Sequence, residues 1–248
     1  MSIFNKFKSF LTNLKINKKL LVSVISNSII AICIFSVFNM CFNVDAKVVS
    51  SSGYSAIYRG NTTNKNASLM INVYWGTEYI EPMLEVLKQN NIKTTFFIGG
   101  YWAAQNENLL EKIVNDGHEI ANHGYYHKDQ AKMTVERNKE EISLNHQLIK
   151  SLCGVEMTLF APPSGSYNSN TLEAAESLGY KTIMWSKDTI DWRDKNTQLI
   201  FNRATKNMQN GDLILMHPTQ CTYEALASII TAYQDAGYTL TTVSNTIN

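Results

Sequence analysis

The feature that most constrains the fold is an alternation of short apolar strands and amphipathic helices, which begins near residue 69. Segments such as Leu69–Val73, Thr94–Ile98 and Leu213–Met216 are each followed by a stretch with helical spacing. Repeated strand–helix units favour a parallel sheet covered by helices. Polar motifs follow the strand ends, which is the edge of a parallel barrel that holds functional sites. The sequence therefore predicts an α/β fold, an irregular (β/α) barrel, over residues 68–248.

The helices are predicted from apolar residues three and four positions apart and from their start and stop signals. Thr134 is a candidate N-cap, and Gly237 is a candidate stop for the last long helix. The predicted helices cover residues 79–89, a segment around 109–113, and residues 134–152, 169–178, 197–208 and 223–236.

Residues 1–46 resemble a targeting segment. Five lysines precede Leu20–Val44, a largely apolar stretch without a charged side chain that is long enough to span a bilayer as a helix. Basic residues before such a span predict a cytoplasmic N-terminus and place the following domain outside the cytoplasm. We favour a retained membrane anchor because the basic region is long. Cleavage of a signal peptide near Val44-Asp45-Ala46, followed by secretion, is the alternative. Residues 47–67 are predicted to be a polar linker.

The net charge argues against nucleic-acid binding, and the positions of the cysteines argue against a disulfide. The chain outside residues 1–46 is mildly acidic, so binding to nucleic acid is not expected. Two cysteines, Cys153 and Cys221, lie outside the N-terminal segment. They fall in loops at opposite ends of the predicted barrel, too far apart to bridge, so both are predicted to be free thiols.

Two histidines four positions apart follow the third predicted strand. His123 and His127 could close on one metal ion, but a hydrolytic centre also needs an anionic ligand and a base. The first strand and its end, Met70–Gly76, contain no acid. Glu78 lies in the next loop and is a candidate substitute, although a role as a first-turn helix acid is the more ordinary reading.

Five motifs, taken in order, resemble the polysaccharide deacetylases, the NodB-type domain of carbohydrate esterase family four. The resemblance covers about residues 68–245, and the residues that carry it are Lys93–Gly100, Gly117–His123 with His127, Pro162–Asn168, Asp188–Trp192 and Leu213–His217. It implies the NodB barrel and hydrolysis of N-acetyl groups on amino sugars, assisted by a divalent metal, with zinc expected and cobalt as the alternative.

The resemblance also implies roles for individual residues. His123 and His127 match the metal histidines, His217 matches the general acid, and Asp191 matches an acid that supports the catalytic groups. A second set is expected to contact the substrate: Asn72 on the first strand, Ser164 through a backbone N–H facing the oxyanion, Trp192 and Leu215 around the acetyl group, and Tyr167 as a stacking surface.

The sequence departs from the family pattern at three positions. Asn72 and Val73 stand where the family has two aspartates, a base and a metal ligand, and Ala161 replaces an arginine expected to pair with Asp191. An amide cannot accept a proton at neutral pH, and valine cannot bind a metal. Loss of a general base alone costs about 10²–10⁴-fold in rate. Some sporulation-associated relatives carry a similar segment, which suggests a subgroup feature.

Three functions remain open from the sequence. The chain is a deacetylase with weakened or rearranged metal chemistry, an inactive relative that binds glycan during envelope or spore assembly, or a scaffold for other proteins. The expected partner is cell-wall glycan, peptidoglycan first and chitin-like oligomers second.

Overall fold

The structure is a computed structural model that describes residues 26–30, residue 32 and residues 53–248. Residues 53–248 contain eight strands, all paired in parallel: β1 (Asn66–Val73), β2 (Thr95–Ile98), β3 (Glu119–Asn122), β4 (Leu159–Phe160), β5 (Lys181–Thr182), β6 (Lys187–Asp188), β7 (Asp212–Met216) and β8 (Thr239–Leu240).

The strands form one curled sheet in which β1 pairs with three other strands, β2, β7 and β8. Their order is β5-β4-β3-β2-β1-β7-β6, and β8 pairs with the first residues of β1. The register aligns Val73 with Ile98, and Ile98 with Asn122, so β1, β2 and β3 end at the same level. The predicted parallel α/β architecture is confirmed, as a curled half-barrel.

Helices cover the outside of this sheet. Thr134 accepts a hydrogen bond from the backbone N–H of Arg137, as expected of an N-cap, and Gly237 is in the left-handed conformation that ends the last long helix. The helices are α1 (Ile80–Gln89), α2 (Gly100–Ala103), α3 (Glu107–Asn115), α4 (Val135–Cys153), α5 (Ser169–Ser177), α6 (Thr197–Thr205), α7 (Gln220–Asp235) and α8 (Val243–Ile247).

Two apolar layers lie on the two faces of the sheet. The inner layer fills the half-barrel and includes Met70, Phe97 and Leu213. The outer layer packs the sheet against the helices and includes Ile71 and Val73. Because successive side chains of a strand point to opposite faces, β1 sends its residues alternately into these two layers.

The predicted linker, residues 47–67, differs from expectation in its C-terminal part. Residues 57–61, here called the strap, form backbone hydrogen bonds with the sheet and with α8, and β1 begins at Asn66. Ile57 pairs with Ile183, and Arg59 forms an ion pair with the fully buried Asp212. The strap is held by contacts between residues more than a hundred positions apart, which composition does not reveal.

The N-terminal prediction falls almost wholly outside the described residues. Within residues 26–30, 32 and 53–248, no helix combines the length and apolar character needed to cross a membrane. The anchor or signal peptide over residues 1–46 stays a prediction. Both Cys153 and Cys221 are free thiols, as expected.

Candidate active site

A cleft of about 390 Å³ opens at the carboxyl ends of the central strands. This is the edge at which open parallel sheets usually bind ligands. Six of the residues singled out from the sequence meet in it or on its wall. The lining residues are Asn72, Trp75, His127, Ser164, Gly165, Trp185, Asp188, Trp192, Leu215 and His217.

The two histidines of the third strand end face each other. Their ring centroids are 5.1 Å apart, and His123 lies behind His127, almost fully buried. Nδ1 of His123 donates to the carbonyl oxygen of Ala161 over 2.8 Å, which leaves Nε2 as the free nitrogen. Burial lowers the pKa of His123 to about 3 and also lowers the pKa of His127. Both rings are therefore neutral near pH 7, the form that can bind a metal.

The loop that carries these histidines is held by a buried carboxylate. Oε2 of Glu141, on α4, accepts hydrogen bonds from the backbone N–H groups of Tyr125 and Tyr126 at 3.1 and 2.8 Å. Oδ1 of Asn122 accepts from the N–H of Gly124 and from the side chain of Asn145. Sequence reasoning missed Glu141, because its spacing on α4 shows a buried position but not the loop it contacts.

His217 and Asp191 form a hydrogen-bonded pair on the opposite wall. Nδ1 of His217 donates to Oδ1 of Asp191 over 2.7 Å, and the backbone N–H of His217 donates to Oδ2 over 2.6 Å. The hydroxyl of Thr222 also donates to Oδ2. Asp191 lacks the arginine partner of the family pattern, because that position is Ala161, and it is bonded to His217 and Thr222 instead. The pair fixes the His217 ring so that Nε2 is free.

The end of β1 lacks the acid that a hydrolytic centre requires. Asn72 lines the cleft with 4% of its surface exposed, and its side-chain Oδ1 has no hydrogen-bond partner within the described part of the chain. Val73 points the other way, into the outer apolar layer. Among residues 26–30, 32 and 53–248, no three His, Cys, Asp or Glu side chains are grouped so that they could hold a metal ion. Two imidazoles without a carboxylate do not fit a hydrolytic metal centre, which uses three protein ligands.

The two residues after β1 cover the two histidines with aromatic rings. The Tyr74 centroid lies 4.9 Å from that of His127, and Trp75 stacks on His217 at 5.5 Å with 10° between the rings. Burial, followed by the neighbouring Tyr101 and Glu141, raises the pKa of Tyr74, so its phenol stays neutral and is a poor metal ligand. This placement of Tyr74 was not foreseen, since one aromatic residue after a strand is an ordinary core signal.

The remaining candidates divide between the cleft and other places. Ser164 lines the cleft in a left-handed conformation, with φ of 55°, and Leu215 and Trp192 line it too. Tyr167 is not among the lining residues, because its hydroxyl is hydrogen-bonded to Tyr58 of the strap over 2.6 Å. Glu78 lines a separate neighbouring cleft, so it does not supply the missing acid.

Comparison with known proteins agrees with these motifs. The profile of the polysaccharide deacetylase family matches residues 59–183. The chain belongs to the polysaccharide deacetylase family. An uncharacterised Bacillus subtilis protein, YlxY, is 42% identical over 188 residues, which cover 76% of this chain and 59% of YlxY. The chain therefore spans less than two thirds of that relative. The peptidoglycan-N-acetylmuramic acid deacetylase PdaA of Bacillus subtilis is 27% identical over 77% of this chain and 75% of its own length.

Solved structures of family members share the fold. BA3943 of Bacillus anthracis, a pseudoenzyme of carbohydrate esterase family four, superposes with a TM-score of 0.76 at 33% identity, over 78% of this chain and 69% of that one. A mutant of BA3943 with restored enzymatic activity gives the same TM-score at 31% identity, over 78% and 71%. Family membership is thus compatible with a site that has lost turnover.

Proposed function

We propose that this chain is a glycan-binding member of the polysaccharide deacetylase family that has lost ordinary deacetylation. The observation that carries the proposal is the end of β1, where Asn72 lines the cleft and the aromatic rings of Tyr74 and Trp75, rather than acids, lie against His127 and His217. The ligand we assign is an N-acetylated amino-sugar polymer of the cell wall, peptidoglycan first and chitin-like oligomers second.

The side chains at the end of β1 cannot supply the base that ordinary turnover needs. The Asn72 amide cannot take a proton from water, and the loss of a positioned base costs about 10²–10⁴-fold. Val73 is packed among apolar side chains and contributes nothing to the cleft. The two neutral imidazoles alone are one short of the three protein ligands that a hydrolytic metal centre uses.

The cleft retains aromatic, apolar and hydrogen-bonding groups that can bind a sugar. Trp192 keeps 56% of its surface exposed at the cleft wall, and Trp75 is also exposed. Aromatic faces of this kind can stack on the apolar faces of sugar rings. Leu215 forms an apolar wall, and the fixed His217 ring offers one nitrogen for a hydrogen bond. These groups suit a neutral N-acetyl sugar.

Residual slow deacetylation is the second candidate function. The intact pair of Asp191 and His217 favours it, because a positioned acid contributes to catalysis even when the base is missing. The same proposal places the domain outside the cytoplasm, because cell-wall glycan lies outside the cytoplasm. The N-terminal segment would either anchor the domain to the membrane or be cleaved, which would release it. A link to spore formation remains a prediction of the sequence.

The test is binding of insoluble peptidoglycan and of N-acetylglucosamine oligomers by the purified full chain. Trp192→Ala should weaken binding, whereas Leu178→Ala, which truncates an exposed side chain before the N-terminal end of β5, should not. Binding of neither glycan by the folded protein would contradict the proposal and favour a scaffold.

A further inference from the structure

Three tyrosine rings form an aromatic surface beside the cleft. Tyr74, Tyr101 and Tyr126, here called the tyrosine platform, follow β1, β2 and β3 along the chain, with Tyr101 in α2 and the other two in loops. Tyr101 and Tyr126 keep 47% and 49% of their surface exposed. Large aromatic side chains grouped in the open commonly mark an interaction site.

The tyrosine platform continues the cleft. Tyr74 stands against His127, which lines the cleft, at a centroid distance of 4.9 Å. The ring centroids of Tyr74 and Tyr101 are 6.3 Å apart, with 33° between the ring planes. Those of Tyr101 and Tyr126 are 6.4 Å apart, with 36° between the planes. Successive rings therefore share a rough orientation, and they lead away from the cleft on the side opposite His217 and Trp75.

Backbone hydrogen bonds join the two chain segments that carry Tyr101 and Tyr126. The N–H groups of Gly100 and Tyr101 donate to the carbonyls of Gly124 and Tyr125 at 3.0 and 2.9 Å. A Cβ added at Gly100 would lie 2.5 Å from the Tyr125 ring, so the two segments approach as closely as only glycine permits. The Glu141 carboxylate accepts a hydrogen bond from the backbone N–H of Tyr126. The rings are thus positioned before any ligand arrives, which lowers the entropy cost of binding.

We propose that the tyrosine platform is an additional sugar-stacking surface, which takes the units of an amino-sugar polymer that extend beyond the unit held in the cleft. Tyrosine suits this use because it offers a wide apolar face with few rotatable bonds. The occupant is a glycan chain, because the platform is continuous with a cleft shaped for an N-acetyl sugar. The inference rests on the proposed function, and it adds a length requirement for the ligand.

Calorimetric titration of the full chain with N-acetylglucosamine oligomers of increasing length tests this inference. Affinity should rise with oligomer length, and the double variant Tyr101→Ala/Tyr126→Ala should bind the longer oligomers about tenfold more weakly. Its affinity for the disaccharide should stay within about twofold of the unsubstituted chain, since removing distant contacts leaves the cleft intact.

Two controls separate loss of the rings from loss of the fold. The double variant Tyr101→Phe/Tyr126→Phe keeps both rings and should bind like the unsubstituted chain. Leu178→Ala should leave affinity unchanged at every length. Two results would contradict a role of the platform in binding while leaving the proposed function intact. One is that the folded alanine variant binds long oligomers as tightly as the unsubstituted chain does. The other is that the affinity does not depend on oligomer length. Failure of the unsubstituted chain to bind any oligomer would instead overturn the proposed function.

Discussion

Asn72→Asp should convert the cleft toward a working metal site. The change replaces an amide by a carboxylate of nearly the same shape, in a position that lines the same cleft as His127. The new carboxylate adds a hard anionic donor to the two imidazoles, and it can accept a proton from water. We expect zinc affinity to rise, and acetate release to rise by about 10²–10⁴-fold over the unsubstituted chain, equivalent to about 3–5 kcal/mol of barrier.

Val73→Asp should behave differently, although it restores the second acid expected from the family pattern. Val73 is fully buried in the outer apolar layer. Its replacement loses about 1.5–3 kcal/mol of burial and places a carboxyl group without partners among apolar side chains, at a further cost of at least about 2 kcal/mol. A total of roughly 4 kcal/mol or more is a large share of the typical 5–15 kcal/mol stability of a domain.

The assay measures acetate release from N-acetylglucosamine oligomers with added zinc, beside calorimetric zinc binding and urea unfolding. Asn72→Ala removes the amide without adding an acid and should remain inactive. The double variant Asn72→Asp/His127→Ala should lose any zinc affinity and acetate release that Asn72→Asp gains. A folded Asn72→Asp protein that gains neither zinc affinity nor acetate release would refute the placement of Asn72, and a stable Val73→Asp protein would refute the placement of Val73.

Three other predictions concern binding and stability. Trp192→Ala should weaken peptidoglycan binding in a pull-down by several-fold, because the exposed indole forms one cleft wall. Arg59→Ala should lower the free energy of unfolding in urea by about 2 kcal/mol, since the buried Asp212 would keep Lys187 as its remaining cationic partner among residues 53–248. The exposed Arg137→Ala should change that free energy by less than about 0.5 kcal/mol. Thermal stability should fall as pH drops from 6.5 toward 4, because burial lowers the pKa of His118 to about 4 and that of His123 to about 3, so the unfolded chain binds more protons in this range. His118→Asn should make this dependence shallower by removing one of the two contributions.

The long elements could be predicted from the sequence because their periodicity is local. The strand at Leu213–Met216 and the helix that begins after Thr134 were placed within one residue of their observed limits. The short strands β6 and β8 were missed, because two residues carry no periodic pattern and their pairing is with distant β7 and β1. The strap was taken for linker for the same reason, since only tertiary contacts hold it.

The order of the motifs at the strand ends was enough to predict that most candidate site residues meet in one cleft, because parallel strands end at the same edge of the sheet. Which way a loop side chain turns was not predictable. Tyr167 was expected at the sugar but bonds to Tyr58, 109 positions earlier, and the partners of Asp191 lie 26 and 31 positions later at His217 and Thr222. These contacts depend on the assembled fold.

The most direct test of the central claim is acetate release by the purified full chain, without substitution, from peptidoglycan and N-acetylglucosamine oligomers in the presence of zinc or cobalt. The account predicts no metal-dependent release above background under conditions in which the same protein binds the glycan. Metal-dependent release that His127→Ala abolishes would contradict the claim, and it would mean that a group other than Asn72 serves as the base.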